Sequence, residues 1–269
     1  MNPASDPTRF GSVDEQPDPE FFVSFVDQAN SLPFIQDVEA QAIAELRLTS
    51  GGRVLDIGCG TGDDTRRVAE LVGPDGEAVG VDASEAMIAA ARRRTEGTGL
   101  PATFLVGDAA ALHFADASFD AVRAERVLIH VPDAGRVLAE MVRVTRPGGR
   151  VVVIDIDMDT CVFDLPDIDL TRRAVHAMSD ALACGQIGRQ LRRRFAEAGL
   201  TDVALDSRFV LATRPFLPQL VPGCLLSAVD AGLLAKEDAD AFWEAIEAAQ
   251  AVDDLFAGIP FFVVSGTRA

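Results

Sequence analysis

Tyrosine is absent from this chain of 269 residues, and tryptophan occurs only once. The absence excludes a phenolic general base and an aromatic cage built from tyrosine. Cysteine is also scarce, because Cys59, Cys161, Cys184 and Cys224 stand apart, with no CxxC pair and no Cys/His cluster. Scattered cysteines are typical of reduced thiols, so we expect a cytoplasmic protein.

Basic residues are few: 24 Lys and Arg face 42 Asp and Glu, for a formal net charge of −18. Nucleic acids and anionic membranes bind basic faces, so we expect neither as a partner. The charge suits a cationic ligand. The chain also lacks a membrane-spanning run of about 18 apolar residues and an apolar signal-peptide run. Residues 1–20 are rich in Pro, Asp and Ser and are predicted to be a disordered tail.

Short apolar runs alternate with helical periodicity after residue 50. This alternation predicts βαβ units and a parallel sheet with both faces covered. An amphipathic stretch over 21–50 precedes it and is predicted to form lid helices. The predicted strands are 54–57, 78–81, 103–106, 119–122, 151–156, 203–210 and 261–265, and the predicted helices are 65–72, 84–94, 134–146, 170–183 and 188–198.

An apolar, mostly helical insertion over 214–258 separates the last two predicted strands. A hairpin would need only a few residues there. The insertion either packs as a further layer on the core or forms a lid over a ligand pocket. Candidate residues for lining such a pocket are Phe22, Phe25, Phe216, Leu220 and Trp243.

Three alternating glycines, Gly58, Gly60 and Gly62, follow the first predicted strand and open a helix in "RVLDIGCGTGDDTRRVA". Missing Cβ atoms at such a turn let a nucleotide-type ligand approach the backbone. Asp63 and Asp64 follow in the first helical turn. Two carboxylates are poor neighbours for a pyrophosphate, which needs the positive end of a helix. The pattern therefore favours a nucleoside without phosphates, or a cation.

Single aspartates also follow the second and third predicted strands. Asp82 could accept hydrogen bonds from both hydroxyls of a ribose, or it could cap the helix that starts near Ser84. Asp108 could accept from an adenine amine while the amide of Ala109 contacts a ring nitrogen, or it could serve as a turn residue.

The chain resembles class I S-adenosylmethionine-dependent methyltransferases of the small-molecule, ubiquinone/menaquinone type. "VLDIGCGTG" looks like their first motif and "VGVDASEAMIAAAR" like their second. "GDAAALHFADASFDAVRAERVLIHVPD", followed by "LAEMVRVTRPGGRVVV", resembles the rest of the core. The resemblance implies a Rossmann-like α/β sheet of seven strands in the order 3-2-1-4-5-7-6, with the last strand antiparallel, helices on both faces and a methyltransferase domain over 51–269.

The resemblance also implies residue roles. Asp56 and the glycine loop would hold the methionine part, with Glu125 nearby. Asp82 would hold the ribose, and Asp108 with Ala109 would hold the adenine. The full predicted cofactor-binding set is Asp56, Gly58, Cys59, Gly60, Asp82, Ala83, Met87, Gly107, Asp108, Ala109 and Glu125.

His130 is the candidate general base, because it lies just past the fourth predicted strand, where open sheets bind ligands. An imidazole could take a phenol, enol or amine proton. Phosphobase methyltransferases, which the chain resembles here, place a catalytic histidine at the matching position. A structural histidine that caps the turn is the alternative.

A metal site is a weaker prediction. Asp155, Asp157 and Asp159 alternate at the end of the fifth strand and, together with Glu125, could bind Mg²⁺. The alternative is a set of solvated acids, and we predict no metal ligands.

These patterns predict transfer of a methyl group from S-adenosylmethionine, with S-adenosylhomocysteine as product, to O, N or C of a small apolar or aromatic metabolite of secondary metabolism. A homodimer is compatible with the sequence. The alternatives are a cofactor-binding or pericyclase-like protein without methyl transfer and a metal-dependent catechol-type O-methyltransferase. A nicotinamide dehydrogenase is disfavoured by Asp63 and Asp64.

Overall fold

The structure is a computed structural model that describes residues 6–211 and 217–269, without the side chains of Pro7 and Gln219. Within these ranges, no helix has the length and apolar character required to cross a bilayer.

One mixed sheet organises the chain. Strands β1 to β5 pair in parallel in the order β3-β2-β1-β4-β5. The last strand, β8, runs antiparallel to both β5 and β7. The strands are β1 Arg53–Ile57, β2 Glu77–Asp82, β3 Ala102–Val106, β4 Phe119–Glu125, β5 Thr145–Ile156, β6 Val162–Phe163, β7 Leu200–Leu211 and β8 Ala257–Arg268.

The predicted strand order is confirmed, with one addition. The two-residue strand β6 pairs with the start of β8, where Val162 faces Gly258. When β6 is left out of the count, β8 and β7 are the seventh and sixth strands, and the order is the predicted 3-2-1-4-5-7-6.

Helices surround the sheet, and short polar side chains begin several of them. Asp18, Ser84, Asp133 and Asp167 are N-cap residues whose side chains accept hydrogen bonds from the first helical turn. The helices are α1 Pro19–Asn30, α2 Pro33–Glu45, α3 Asp63–Val72, α4 Glu85–Thr95, α5 Ala134–Val144, α6 Ile168–Asp180, α7 Ile187–Glu197, α8 Leu217–Asp230 and α9 Lys236–Ala251.

The central strands are buried on both faces, as their continuous apolar runs predict. Leu55 on β1, Val122 on β4 and Val152 on β5 are fully buried. Full burial of a side chain of this size contributes roughly 1.5–3 kcal/mol. The rigid sheet that results fixes the carboxyl ends of β1 to β5 along one edge.

The segment before α1 differs from the loose tail that its composition predicts. A 3₁₀ helix spans Pro7–Glu15, which we call the N-terminal 3₁₀ segment, and its Val13 is buried. The carboxylate of Asp14 accepts hydrogen bonds from Ser84 Oγ at 2.7 Å and from the Glu85 amide at 2.6 Å. Asp6, just before the segment, accepts from Ser227 Oγ on α8. Tertiary contacts, which composition does not reveal, therefore order this segment.

Candidate active site

A cavity of about 390 Å³ opens at the carboxyl ends of the parallel strands. This edge, at the point between β1 and β4 where the strand order reverses, is where open α/β sheets bind ligands. The cavity runs from the ends of β2 and β3 to the ends of β5 and β8. Its lining includes every predicted cofactor-binding residue and His130. The structure thus brings these residues together, while their binding roles remain predictions.

The glycine loop between β1 and α3 serves two purposes. Gly58, Gly60 and Gly62 all have positive φ, between +52° and +79°. A Cβ on Gly58 would lie 2.2 Å from Cγ2 of Val127, and one on Gly62 would lie 2.6 Å from the ring of Phe104. A Cβ on Gly60 would meet nothing closer than 3.7 Å. Close packing therefore requires two of these glycines, and Gly60 leaves room for a ligand.

Asp82 ends β2 with its carboxylate in the cavity. Its oxygens accept backbone hydrogen bonds from the Gly60 and Ser84 amides, both at 2.9 Å. Burial raises its pKa, while these two bonds oppose the rise. Ser84 rather than Asp82 is the N-cap of α4. The carboxylate is therefore oriented by the glycine loop and by the start of α4, with lone pairs left for a ligand.

The backbone after β3 forms the next part of the wall. The Gly107 amide donates to the Asp82 carbonyl at 2.9 Å, which ties this turn to β2. Asp108 Oδ1 accepts from the Ala110 amide at 2.8 Å, as a turn residue does. The Asp108 side chain and Ala109 still line the cavity. The turn and ligand-binding interpretations of Asp108 are thus compatible.

Arg123, in the middle of β4, is the residue that the sequence interpretation missed. It is 2% exposed, and its guanidinium contacts Asp56 at 3.1 Å, Asp64 at 2.8 Å and Glu125 at 2.6 Å. Burial lowers its pKa, but these carboxylates raise it by more, and the net shift is upward. A charged residue inside the apolar stretch "AVRA" was the available signal. Arg123 keeps buried acids in place at this end of the cavity.

More charged groups surround the same end. Arg126 contacts Glu125 Oε1 at 3.0 Å and Glu39 Oε1, from α2, at 3.9 Å. Burial and the charges of Glu125 and Asp64 raise the pKa of Glu39 to about 8. Glu39 was also missed, although an acid among the apolar positions of α2 could have indicated it. Asp63 turns away from this group and pairs with Arg66.

The opposite end of the cavity is apolar. Phe25 from α1 lines it, together with residues from the end of β5 onward: Ile156, Met158, Leu182, Leu220, Cys224, Ile259 and Phe261. Helix α8 therefore forms part of the wall.

Two predicted lining residues lie elsewhere. Phe22 is buried in a separate cluster, with its ring 5.1 Å from that of Phe10, and Trp243 on α9 packs against the main core. Phe216 lies outside the described residues.

His130 lies between the two ends of the cavity. It donates a hydrogen bond to the Thr8 backbone, and its ring lies 5.5 Å from that of Phe10. Its Nδ1 is buried and has no hydrogen-bond partner among the described residues. Burial, with a smaller contribution from the charge of Arg126, lowers its pKa to about 4. With the proton of the neutral ring on Nε2, Nδ1 is a free acceptor.

The acids after β5 do not converge on Glu125. Asp155 is fully buried and accepts from the Ile129 amide at 3.2 Å, which holds the turn that carries His130. Asp157 and Asp159 pair with Arg189 instead. The three acids thus do not point to one side, because β5 ends at Ile156 and a 3₁₀ turn follows. Glu39, Asp64 and Glu125 are the acids that group with one another in the described part of the chain.

A family model described as a methyltransferase domain matches residues 48–199. This range is more than half of the chain, and the chain belongs to this family, the class I S-adenosylmethionine-dependent methyltransferases.

Two curated relatives are similar over part of their length. An uncharacterised 37.1 kDa protein in transposon TN4556 of Streptomyces fradiae is 39% identical over 192 residues, which are 70% of this chain and 55% of the relative. A demethylmenaquinone methyltransferase of Bacillus cytotoxicus is 41% identical over 113 residues, 42% of this chain and 48% of the relative. The chain spans about half the length of these relatives.

A solved structure supports the fold. Phosphoethanolamine N-methyltransferase 2 of Haemonchus contortus, in complex with S-adenosyl-L-methionine, has a TM-score of 0.59 and 18% identity. The match covers 91% of this chain and 56% of that one.

The cavity fits the family's cofactor, S-adenosylmethionine. This molecule is a nucleoside with a sulfonium and an ammonium but no phosphate. The acids at 56, 64, 82 and 125 and the open space at Gly60 suit such a cation. Asp63 and Asp64, in the first turn of α3, would repel the pyrophosphate of a dinucleotide.

Proposed function

We propose that the chain transfers the methyl group of S-adenosylmethionine to an O, N or C atom of a small apolar or aromatic metabolite. One observation carries the proposal: a single cavity joins an acidic end to an apolar end, and it is lined by His130, whose Nδ1 has no hydrogen-bond partner among the described residues. S-adenosylhomocysteine would be the product that stays in the acidic end.

Binding would be divided among residues already described. Asp82 would accept hydrogen bonds from the ribose hydroxyls, and Asp108 with Ala109 would hold the adenine. Asp56, Gly58, Gly60 and Glu125 would hold the amino-acid end, while Cys59, Ala83, Met87 and Gly107 complete the walls. The sulfonium supplies an activated methyl group. The protein's contribution is alignment of the acceptor, which is worth several kcal/mol.

His130 would act on the acceptor's proton. At neutral pH the imidazole is uncharged, because its pKa is about 4. A base this weak is sufficient, since an oxygen or nitrogen that gains a methyl group becomes positive and its proton becomes strongly acidic. The proton would pass to Nδ1 while Thr8 keeps Nε2 oriented. The apolar wall would exclude water from the reacting groups.

The test combines binding with a transfer assay. We expect calorimetry to show that the protein binds S-adenosylmethionine and S-adenosylhomocysteine and does not bind NAD. A panel of lipophilic phenols, hydroquinones and amines is then incubated with the protein and S-adenosylmethionine, and products that gain one CH₂ are sought by mass spectrometry. Binding of NAD without S-adenosylmethionine would contradict the proposal. Binding without any methylated product would favour a non-methylating role, and loss of activity with EDTA would favour a metal-dependent enzyme.

The role of His130 has its own test. For an acceptor found in the panel, His130→Gln should lower kcat by about 10²–10⁴-fold, the usual contribution of a general base. The affinity for S-adenosylhomocysteine should stay unchanged. His113→Gln is the matched control, because His113 is exposed in a loop. Equal kcat for the two variants would leave His130 a structural residue.

A further inference from the structure

The acidic end of the cavity holds one more carboxylate than the resemblance to the family implies. We propose that Glu39 is a further cofactor-binding residue, which forms with Asp64 and Glu125 a three-carboxylate site for the ammonium group of the cofactor's amino-acid end. The inference rests on the proposed function, because it assumes that S-adenosylmethionine occupies this cavity.

The geometry matches an ammonium. One carboxylate oxygen from each of Glu39, Asp64 and Glu125 lies within 4.8 Å of the other two. An ammonium has three N–H donors at tetrahedral angles. Hydrogen bonds of about 2.9 Å from such a group place its three acceptors about 4.7 Å apart. The three oxygens are therefore close enough together for a single nitrogen to donate to all of them.

One carboxylate oxygen of this group has no hydrogen-bond partner in the described part of the chain. Glu125 Oε1 is buried and accepts no hydrogen bond, although Arg126 forms an ion pair with it. The side chain of Glu39 is 8% exposed, and its closest charged group, Arg126, is 3.9 Å away. Both side chains line the cavity. Buried polar groups in folded proteins are nearly always hydrogen-bonded, so Glu125 Oε1 beside a cavity points to a missing ligand.

The local charge is unbalanced in the same direction. Four carboxylates, those of Asp56, Asp64, Glu125 and Glu39, share two guanidiniums, those of Arg123 and Arg126. These groups come from β1, α3, α2 and β4 with the turn after it, and Asn30 of α1 adds a neutral amide that accepts from Arg126. An unpaired buried charge is costly, so the ligand-free site keeps Glu39 protonated, and a cation at the centre would favour its ionised form.

Proton release should accompany binding. Without a cation, burial and the charges of Glu125 and Asp64 keep Glu39 protonated at neutral pH, since its pKa is about 8. The positive charge of a bound ammonium favours the carboxylate, so Glu39 should lose its proton as the cofactor binds. This release distinguishes an ammonium ligand from a purely structural role of Glu39.

The experiment compares two ligands that share adenosine. S-adenosylhomocysteine carries the ammonium, whereas 5′-methylthioadenosine lacks the whole amino-acid end. Glu39→Gln should lower the affinity for S-adenosylhomocysteine by about tenfold or more, as expected for a lost charge-assisted hydrogen bond. The affinity for 5′-methylthioadenosine should stay unchanged. Asp37→Asn, on the exposed face of the same helix, is the matched control and should change neither. Titrations at pH 7 in two buffers of different ionisation enthalpy should show proton release by the wild type and almost none by Glu39→Gln.

The possible outcomes separate the two proposals. Normal binding of both ligands by Glu39→Gln, with unchanged proton release, would overturn the inference and leave the proposed function standing. Failure of the wild-type protein to bind either ligand would overturn both the inference and the proposed function. Magnesium or calcium binding that Glu39→Gln abolishes, without an effect on S-adenosylhomocysteine, would assign the three acids to a metal and overturn the ammonium site.

Discussion

Single residues decide what the cavity can hold. Asp82, Glu125 and His130 follow apolar strands, and position in the sequence was enough to predict that they share one edge of the sheet. Arg123 and Glu39 could not be predicted in this way, because a charge inside a strand or on a helix face is informative only when its partners are known. Two of the three partners of Arg123, Asp56 and Asp64, come from other elements, β1 and α3.

Asp82→Asn should weaken the binding of S-adenosylhomocysteine by about 10- to 100-fold. The amide is uncharged, and its NH₂ group can only donate where a carboxylate oxygen accepted. Glu85→Gln removes an exposed acid three positions away and should have no effect. Isothermal calorimetry measures both. Affinities within twofold of each other would show that Asp82 only supports the glycine loop.

At the scale of elements, periodicity predicted the strands and helices of the α/β core well, since each long element buries one continuous face. It failed for β6, which has only two residues. It failed also for the N-terminal 3₁₀ segment, which has no periodic pattern. That segment is held by Asp14 at the start of α4 and by Asp6 at α8. Thr8, Phe10, Gly11 and Val13 line the cavity, so this segment forms part of the wall.

Asp14→Ala should loosen the N-terminal 3₁₀ segment. The substitution removes hydrogen bonds to Ser84 Oγ and the Glu85 and Ala86 amides, which resemble a helix cap worth about 1 kcal/mol. Chymotrypsin should then cleave after Phe10 several times faster. Its exposed neighbour Glu15, changed to Ala, is the control. Identical cleavage of the two variants would mean that Asp14 does not hold the segment.

At the scale of the whole molecule, burial of acids beside the cavity makes stability depend on pH. The pKa values of Glu39 and Asp155 are raised, mainly by burial, to about 8 and about 7. The stabilisation from a carboxyl with a raised folded-state pKa is complete below its unfolded pKa and is lost as pH rises through the folded value. His130, with its pKa lowered to about 4, contributes stability that is complete above about pH 6.5.

The free energy of unfolding should therefore decrease by about 2 kcal/mol between pH 6.5 and pH 8, at about 1.4 kcal/mol per pH unit for each fully linked proton. Urea denaturation of the ligand-free protein measures the change. Glu39→Gln should remove most of the decrease, whereas Asp37→Asn should retain it. A wild-type profile that is flat or rises over this interval would contradict the assigned protonation of Glu39.

The close packing of Gly58 against Val127 has a practical consequence for engineering. Because Val127 fills the space beside Gly58, substitutions at either position would disturb the packing of the β1–α3 loop against the turn after β4. Most residues that line the apolar end of the cavity, from Ile156 onward, follow Val127 in the chain. A library confined to Met158, Leu182, Leu220 and Cys224 should therefore change which molecules are accepted while the nucleoside pocket stays intact.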